Sequence, residues 1–250
     1  MELLVYNNSH DLALAVVHRT IDILKDLVVK QKQFSVAISG GNTPVEFYKL
    51  LTKQPYIDQI PWKNTHIFWC DERCVGFDDP GSNYGQFSHI VLNKIDIPAK
   101  NIHPIDCSRG SEEAVRDYTR VLSNHATQGR EFPIFDIVYL GLGEDGHTAS
   151  LFPGEISTHE INNPVISSLA NYQNRPAPRV SLTPLIINQA KNIFFIVTGA
   201  NKAEILSQVI NGPTDQKRFP AQRIFSGKGN IVWIADKLAA GETDKEINAS

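Results

Sequence analysis

Asp145, Gly146 and His147 follow an apolar run, Ile137-Val138-Tyr139-Leu140, and a Gly141-Leu142-Gly143 turn. A strand buried in a core is rigid, and a glycine-rich turn at its end lets the next side chains project from a fixed support. In open α/β sheets, ligands bind beyond such strand ends. Imidazole is the side chain best suited to take a proton near neutral pH. A carboxylate beside it can fix its tautomer and raise its basicity, as in hydrolase triads. The plain alternative is a histidine that caps or packs locally; its place after a Gly-rich strand end favours chemistry. No Gly-x-Ser-x-Gly elbow offers a nucleophile. His147 is therefore expected to activate water directly, without a covalent intermediate.

Four other pieces can bind or polarise a ligand. Ser39, Gly40, Gly41, Asn42 and Thr43 lead into Pro44-Val45-Glu46. Thr43 suits an N-cap, Pro44 the first helical position, and Glu46 a capping box. Such a strand-to-helix turn suits an anion, most naturally phosphate. It is neither a Walker A loop nor Gly-x-Gly-x-x-Gly. Asp71-Glu72-Arg73 ends another apolar run. Asp71 can bond a sugar hydroxyl, and Arg73 can grip a carbonyl or phosphate oxygen with its planar fork. The bland reading of three adjacent charges is a solvated turn. Lys202 falls at a helix start, where the dipole disfavours a cation unless an anion is bound. Arg179 can complete a phosphate clamp with Lys202, although its own stretch reads as a surface arginine.

These pieces need a scaffold, and the rest of the chain supplies one. Candidate strands cover 2–6, 34–38, 66–69, 101–105, 136–140, 192–197 and 230–234. They are short and rich in Val, Ile and Phe, as strands buried on both faces are. Candidate helices cover 10–30, 44–52, 111–124, 184–189 and 202–210. Leu12, Ala15, Val16, Ile23, Leu24 and Leu27 follow a near-3.6 period in the first of them. The alternation predicts one α/β domain over 1–250, with a mostly parallel, Rossmann-like sheet and helices on both faces. The polar, proline-containing stretch 162–178 is expected to be a surface loop near the site, and the tail 240–250 to fray.

The 250 residues are 42% hydrophobic and 20% charged, enough for a sizeable core. A net charge of −3 gives no basic footprint for nucleic acid. The N-terminus lacks the basic start and apolar run of a signal peptide, and no stretch is long and apolar enough to span a bilayer. Cys70, Cys74 and Cys107 fit neither a zinc ribbon nor a redox Cys-x-x-Cys, and read as reduced thiols. The expectation is a soluble cytoplasmic protein with no nucleic-acid or membrane partner. The other histidines show no paired spacing such as His-Glu-x-x-His, so no metal is expected.

Together the pieces resemble the 6-phosphogluconolactonase family, within the wider glucosamine-6-phosphate isomerase/lactonase superfamily. The resemblance rests on Ser39-Gly40-Gly41-Asn42-Thr43-Pro44, Asp71-Glu72-Arg73 with Ser82-Asn83, and the run from Gly141 through Asp145-Gly146-His147-Thr148-Ala149-Ser150-Leu151-Phe152-Pro153-Gly154. Arg179-Val180-Ser181-Leu182-Thr183, Gly199-Ala200-Asn201-Lys202-Ala203 and Phe219-Pro220-Ala221 follow in family order. One departure is Gly76, where relatives often carry Pro. The resemblance implies hydrolysis of 6-phosphogluconolactone to 6-phosphogluconate in the oxidative pentose phosphate pathway, with no cofactor. It implies His147 as general base, Asp145 as its orienter, Asp71 at the sugar and Arg73 at the lactone or the phosphate. Gly40 to Thr43, Arg179 and Lys202 are implied to hold the phosphate.

Two rivals share these motifs. Amino-sugar-phosphate isomerases/deaminases resemble this chain at the same run but carry a glutamate where Phe152 stands, and phenylalanine cannot move protons. A non-catalytic sugar-phosphate sensor has no need of the Asp145–His147 pair.

Overall fold

Strands apolar on both sides must be covered on both faces, and here they form the middle of the molecule. The computed structural model describes residues 2–29, 33–170, 178–225, 227 and 229–241. In chain order the elements are β1 (Glu2–Tyr6), α1 (Ser9–Val28), β2 (Phe34–Ile38), α2 (Val45–Leu51), β3 (Thr65–Trp69), β4 (Asp71–Arg73) and α3 (Asn83–Ile90). Then come β5 (Ile102–His103), α4 (Ser111–Asn124), β6 (Ile137–Leu140), α5 (Thr158–Asn162), β7 (Val165–Leu169) and β8 (Pro178–Leu182). Last are α6 (Pro184–Ile187), β9 (Asn192–Val197), α7 (Ala203–Asn211), β10 (Asn230–Asp236) and α8 (Lys237–Ala240).

Among the described residues the strands form two sheets. The larger is parallel, in the order β1-β10-β9-β6-β2-β3-β5. Helices pack around it; α1 lies against β1 and β10 and buries Leu12, Val16, Val17, Ile21 and Leu24. Asn8 caps α1 by accepting from the Asp11 N–H at 2.9 Å. All four residues of β6 are buried. From β2 the chain winds outward through β3 and β5, then returns on the other side of β2 with β6, β9 and β10. The winding reverses between β2 and β6, and the crevice beyond the carboxyl ends at such a reversal is where open α/β sheets bind ligands. The loops that leave β2 and β6 there are 39–43 and 141–147, both singled out in the sequence.

The smaller sheet is antiparallel, in the order β4-β8-β7. It decides two alternatives left open and corrects one expectation. Residues 71–73 are a strand rather than a solvated turn; Asp71 and Glu72 are 6% and 1% exposed. The expected surface loop 162–178 contains β7 and the start of β8, while 171–177 lie outside the described residues. β7 reads as loop because it is mostly unburied and carries two serines: only Val165 of its five residues is buried, and Leu169 is exposed. Arg179 is not on the surface, because β8 runs between β4 and β7 and leaves it 5% exposed.

Three boundaries also move. The strand expected over 101–105 pairs only at Ile102–His103, since Pro104 has no N–H for the ladder. α2 starts at Val45, with no side-chain cap bond, because a turn from Asn42 O to the Val45 N–H precedes it. Glu46 therefore closes no capping box; its Oε1 meets His10 Nδ1 at 2.8 Å. Of the tail expected to fray, Ala240 ends α8 and 242–250 lie outside the described residues.

Candidate active site

The loop after β6 is shaped around the His147 side chain. Gly143 N–H donates to His147 O at 2.8 Å, and Gly146 N–H donates to Gly143 O at 3.1 Å. A Cβ on Gly143 would lie 2.0 Å from His147 Nδ1 and 2.7 Å from Asp145 Oδ1. Only a residue without a side chain leaves room for the pair. Asp145 Oδ1 accepts from His147 Nδ1 at 2.6 Å and from the His147 backbone N–H at 3.1 Å. A proton held on Nδ1 leaves Nε2 as the basic nitrogen. Phe152 packs beside the imidazole, with ring centroids 5.1 Å apart.

The same loop then reaches the small sheet. Ala149 has φ +48°, a left-handed conformation that side chains disfavour. The turn it makes is closed by Leu151 N–H donating to Thr148 O at 3.0 Å, while Thr148 Oγ1 donates to Gly141 O at 2.8 Å. Beyond the turn, Ser150 Oγ donates to Asp71 Oδ2 at 2.6 Å, and its N–H donates to Ser181 Oγ at 3.2 Å. Asn83 Nδ2 donates to Asp71 O at 2.8 Å. Asn83 in turn fills the space over Gly40, where a Cβ would fall 1.9 Å from its Oδ1. Hydrogen bonds thus join the loop after β6 to β4, β8 and the start of α3, and Asn83 packs against the loop after β2.

Glu72 points away from this site. Its carboxylate accepts from the N–H groups of Arg73, Asn83 and Tyr84 at 2.7, 2.7 and 2.8 Å, and from Ser82 Oγ at 3.0 Å. Burial raises its pKa and these backbone bonds oppose the rise. Glu72 holds the first turn of α3, and with it Asn83.

These walls enclose a cavity of about 400 Å³. Ser39, Gly40, Gly41, Asn42, Thr43, Asp71, Arg73, His147, Arg179 and Lys202 all line it. Asp145 stands behind His147. Three cationic side chains, Arg73, Arg179 and Lys202, converge on the same space as the imidazole. Arg73 Nη1 also donates to Gly81 O at 2.8 Å. Ser39 is the least available of the set, since its hydroxyl donates to Tyr139 O at 2.9 Å and ties β2 to β6.

Sequence reasoning missed a supporting clamp. Arg223, 4% exposed, donates from Nη1 to both Glu160 carboxylate oxygens at 3.0 Å. Its Nη2 donates to Gly154 O at 3.1 Å and its Nε to Gln216 O at 2.7 Å. The clamp fixes the chain just past Phe152, and its two members lie 63 residues apart with no local signal. Phe219 and Ala221 also dock on the site: Phe219 packs on Gly146, and Ala221 N–H donates to Gly146 O at 2.9 Å.

A family described as glucosamine-6-phosphate isomerases/6-phosphogluconolactonase matches residues 7–233. The chain belongs to this family. The 6-phosphogluconolactonase of Haemophilus influenzae is 39% identical over 204 residues, covering 82% of this chain and 85% of its own length. That of Aggregatibacter actinomycetemcomitans is 38% identical over 205 residues, with the same coverage of 82% and 85%. The solved 6-phosphogluconolactonase of Trypanosoma brucei is similar in fold, with a TM-score of 0.83 at 27% identity, over 96% of this chain and 97% of that one. The family's two printed activities share one scaffold, so the site's own chemistry has to separate them. Among the described residues, no helix is long and apolar enough to cross a membrane.

Proposed function

We propose that this chain hydrolyses 6-phosphogluconolactone to 6-phosphogluconate, as the oxidative pentose phosphate pathway requires. The observation that carries the reading is the Asp145–His147 bond of 2.6 Å beside a cavity lined by three cations. His147 Nε2 takes a proton from water as the water oxygen adds to the lactone carbonyl. Arg73 stabilises the charge that develops on the carbonyl oxygen. When the ring C–O bond breaks, the imidazolium returns the proton to the departing ring oxygen. Asp145 keeps the imidazole in the productive tautomer and offsets its charge. Asp71 bonds a sugar hydroxyl.

The loop Gly40 to Thr43, Arg179 and Lys202 hold the phosphate, away from the reacting carbon. Binding energy from that remote group positions the ring. A base contributes about 10²–10⁴-fold, and a donor at the oxyanion about 10²–10³-fold. A lactone is already an activated ester, so these two terms suffice. Phe152 beside the imidazole argues against the isomerase/deaminase reading, which needs a carboxylate there.

The test follows proton release from freshly made 6-phosphoglucono-δ-lactone, with and without protein. Acidification well above the spontaneous rate is expected. No acceleration, together with ammonia release from glucosamine 6-phosphate, overturns the proposal in favour of the deaminase.

A further inference from the structure

Three histidines that play no part in this site meet at the β3–β5 edge of the large sheet, beside the carboxyl end of α4. His66 and Phe68 alternate along β3 and so share one face. His103 on β5 stands opposite Phe68 in the parallel ladder and stacks on it, ring centroids 4.4 Å apart. His125, at the carboxyl end of α4, brings its ring to 4.2 Å from that of His103 and 5.4 Å from that of His66. One ring nitrogen from each lies within 4.8 Å of the other two. The cavity lies beyond the carboxyl end of β3, whereas His66 is the second residue of that strand.

We propose that His66, His103 and His125 bind one divalent ion of the zinc class, which clips the end of α4 to the edge of the large sheet. Tetrahedral zinc with Zn–N bonds of about 2.0–2.1 Å spaces its nitrogens roughly 3.3 Å apart. One ring nitrogen of each histidine already lies within 4.8 Å of the other two, and the nearest His66 and His103 nitrogens are 3.0 Å apart, so the rings stand close to that spacing. His125 Nδ1 donates to Val121 O at 2.8 Å. That leaves Nε2 to ligate, with the other ring nitrogen oriented by a carbonyl, the usual support of a metal-bound histidine.

One feature sets the cluster apart from ordinary aromatic packing: His66 Nε2 is buried with no hydrogen-bond partner among the described residues. An all-imidazole set selects zinc-like ions over magnesium or calcium, which prefer oxygen. Three ligands leave a fourth position for water. The ligands are 37 and 22 positions apart in sequence, so linear spacing carries no trace of them.

Protein stripped with a chelator and desalted is titrated with Zn²⁺ against a colour-forming competitor. One equivalent is expected, with affinity falling at least ~100-fold in both His66→Gln and His125→Gln. His125 is a half-buried helix end, so H125Q is the variant that circular dichroism should find folded. Co²⁺ in place of Zn²⁺ should give tetrahedral bands without a thiolate charge-transfer band. The melting temperature of the intact protein should rise with Zn²⁺ concentration, and that of H125Q should not. Absence of binding, or unchanged affinity in both variants, overturns the proposal. A thiolate band also overturns it, assigning the ion to Cys74 and Cys107, whose sulfurs lie 2.9 Å apart.

Discussion

The two sheets solve opposite problems. The large one is parallel and apolar on both faces; Phe195 on β9 and Trp233 on β10 stack at 3.8 Å in its interior. The small one is antiparallel and puts Asp71, Glu72, Arg179 and Ser181 in the interior. Burial of apolar area holds the first, at roughly 25 cal/mol per Å². Matched hydrogen bonds hold the second, and each lost partner leaves a desolvated polar group. The large sheet therefore provides stability and rigid strand ends. The small sheet provides a polar wall whose groups are preorganised against the cavity.

That contrast can be broken most sharply at the base. His147→Ala should lower kcat by about 10²–10⁴-fold with little change in affinity for a phosphosugar. An unchanged kcat removes His147 from the reaction. Next, Phe195→Ala in the large sheet should cost about 3–5 kcal/mol in urea unfolding, while the folded fraction keeps its kcat. A kcat that falls with stability would mean the sheet's core and the site are not separable. Gly143→Ala should do the reverse. The new Cβ displaces the Asp145–His147 pair, so kcat should drop by roughly 10²-fold with the melting temperature nearly held. The smallest effect belongs to Ser150→Ala, which strips one partner from Asp71. A loss of about 1–3 kcal/mol of stability with a several-fold rise in KM is expected, and a change in stability alone would make Asp71 a purely structural residue.

The legibility of the two sheets differs for the same reason. Of the large sheet, β1, β2 and β9 stand at the boundaries their apolar runs predict, and α4 spans the predicted 111–124. Period and hydrophobicity are local, so they survive in a linear reading. β4, β7 and β8 are short and carry serines, charges and a proline, a composition that reads as turn or loop. What makes them strands is the pairing of Asp71–Arg73 with Arg179–Ser181, more than a hundred positions away. Arg179 was legible as a phosphate partner only in combination with Lys202, and its burial was not legible at all. The capping box failed because Glu46 found His10 on α1 instead of its own helix end.

The sequence by itself determined the parallel α/β class, the strand-end loops after β2 and β6, and the Asp145–His147 pair, since two residues of separation leave little freedom. Tertiary structure alone decided that both loops open at one switch point, that Asn83 and Ser150 hold Asp71, that Arg223 and Glu160 clamp the chain past Phe152, and that His66, His103 and His125 meet. Each of these joins residues distant in sequence, and polar contacts of that kind depend on distances of a few ångströms that only packing of the whole chain sets.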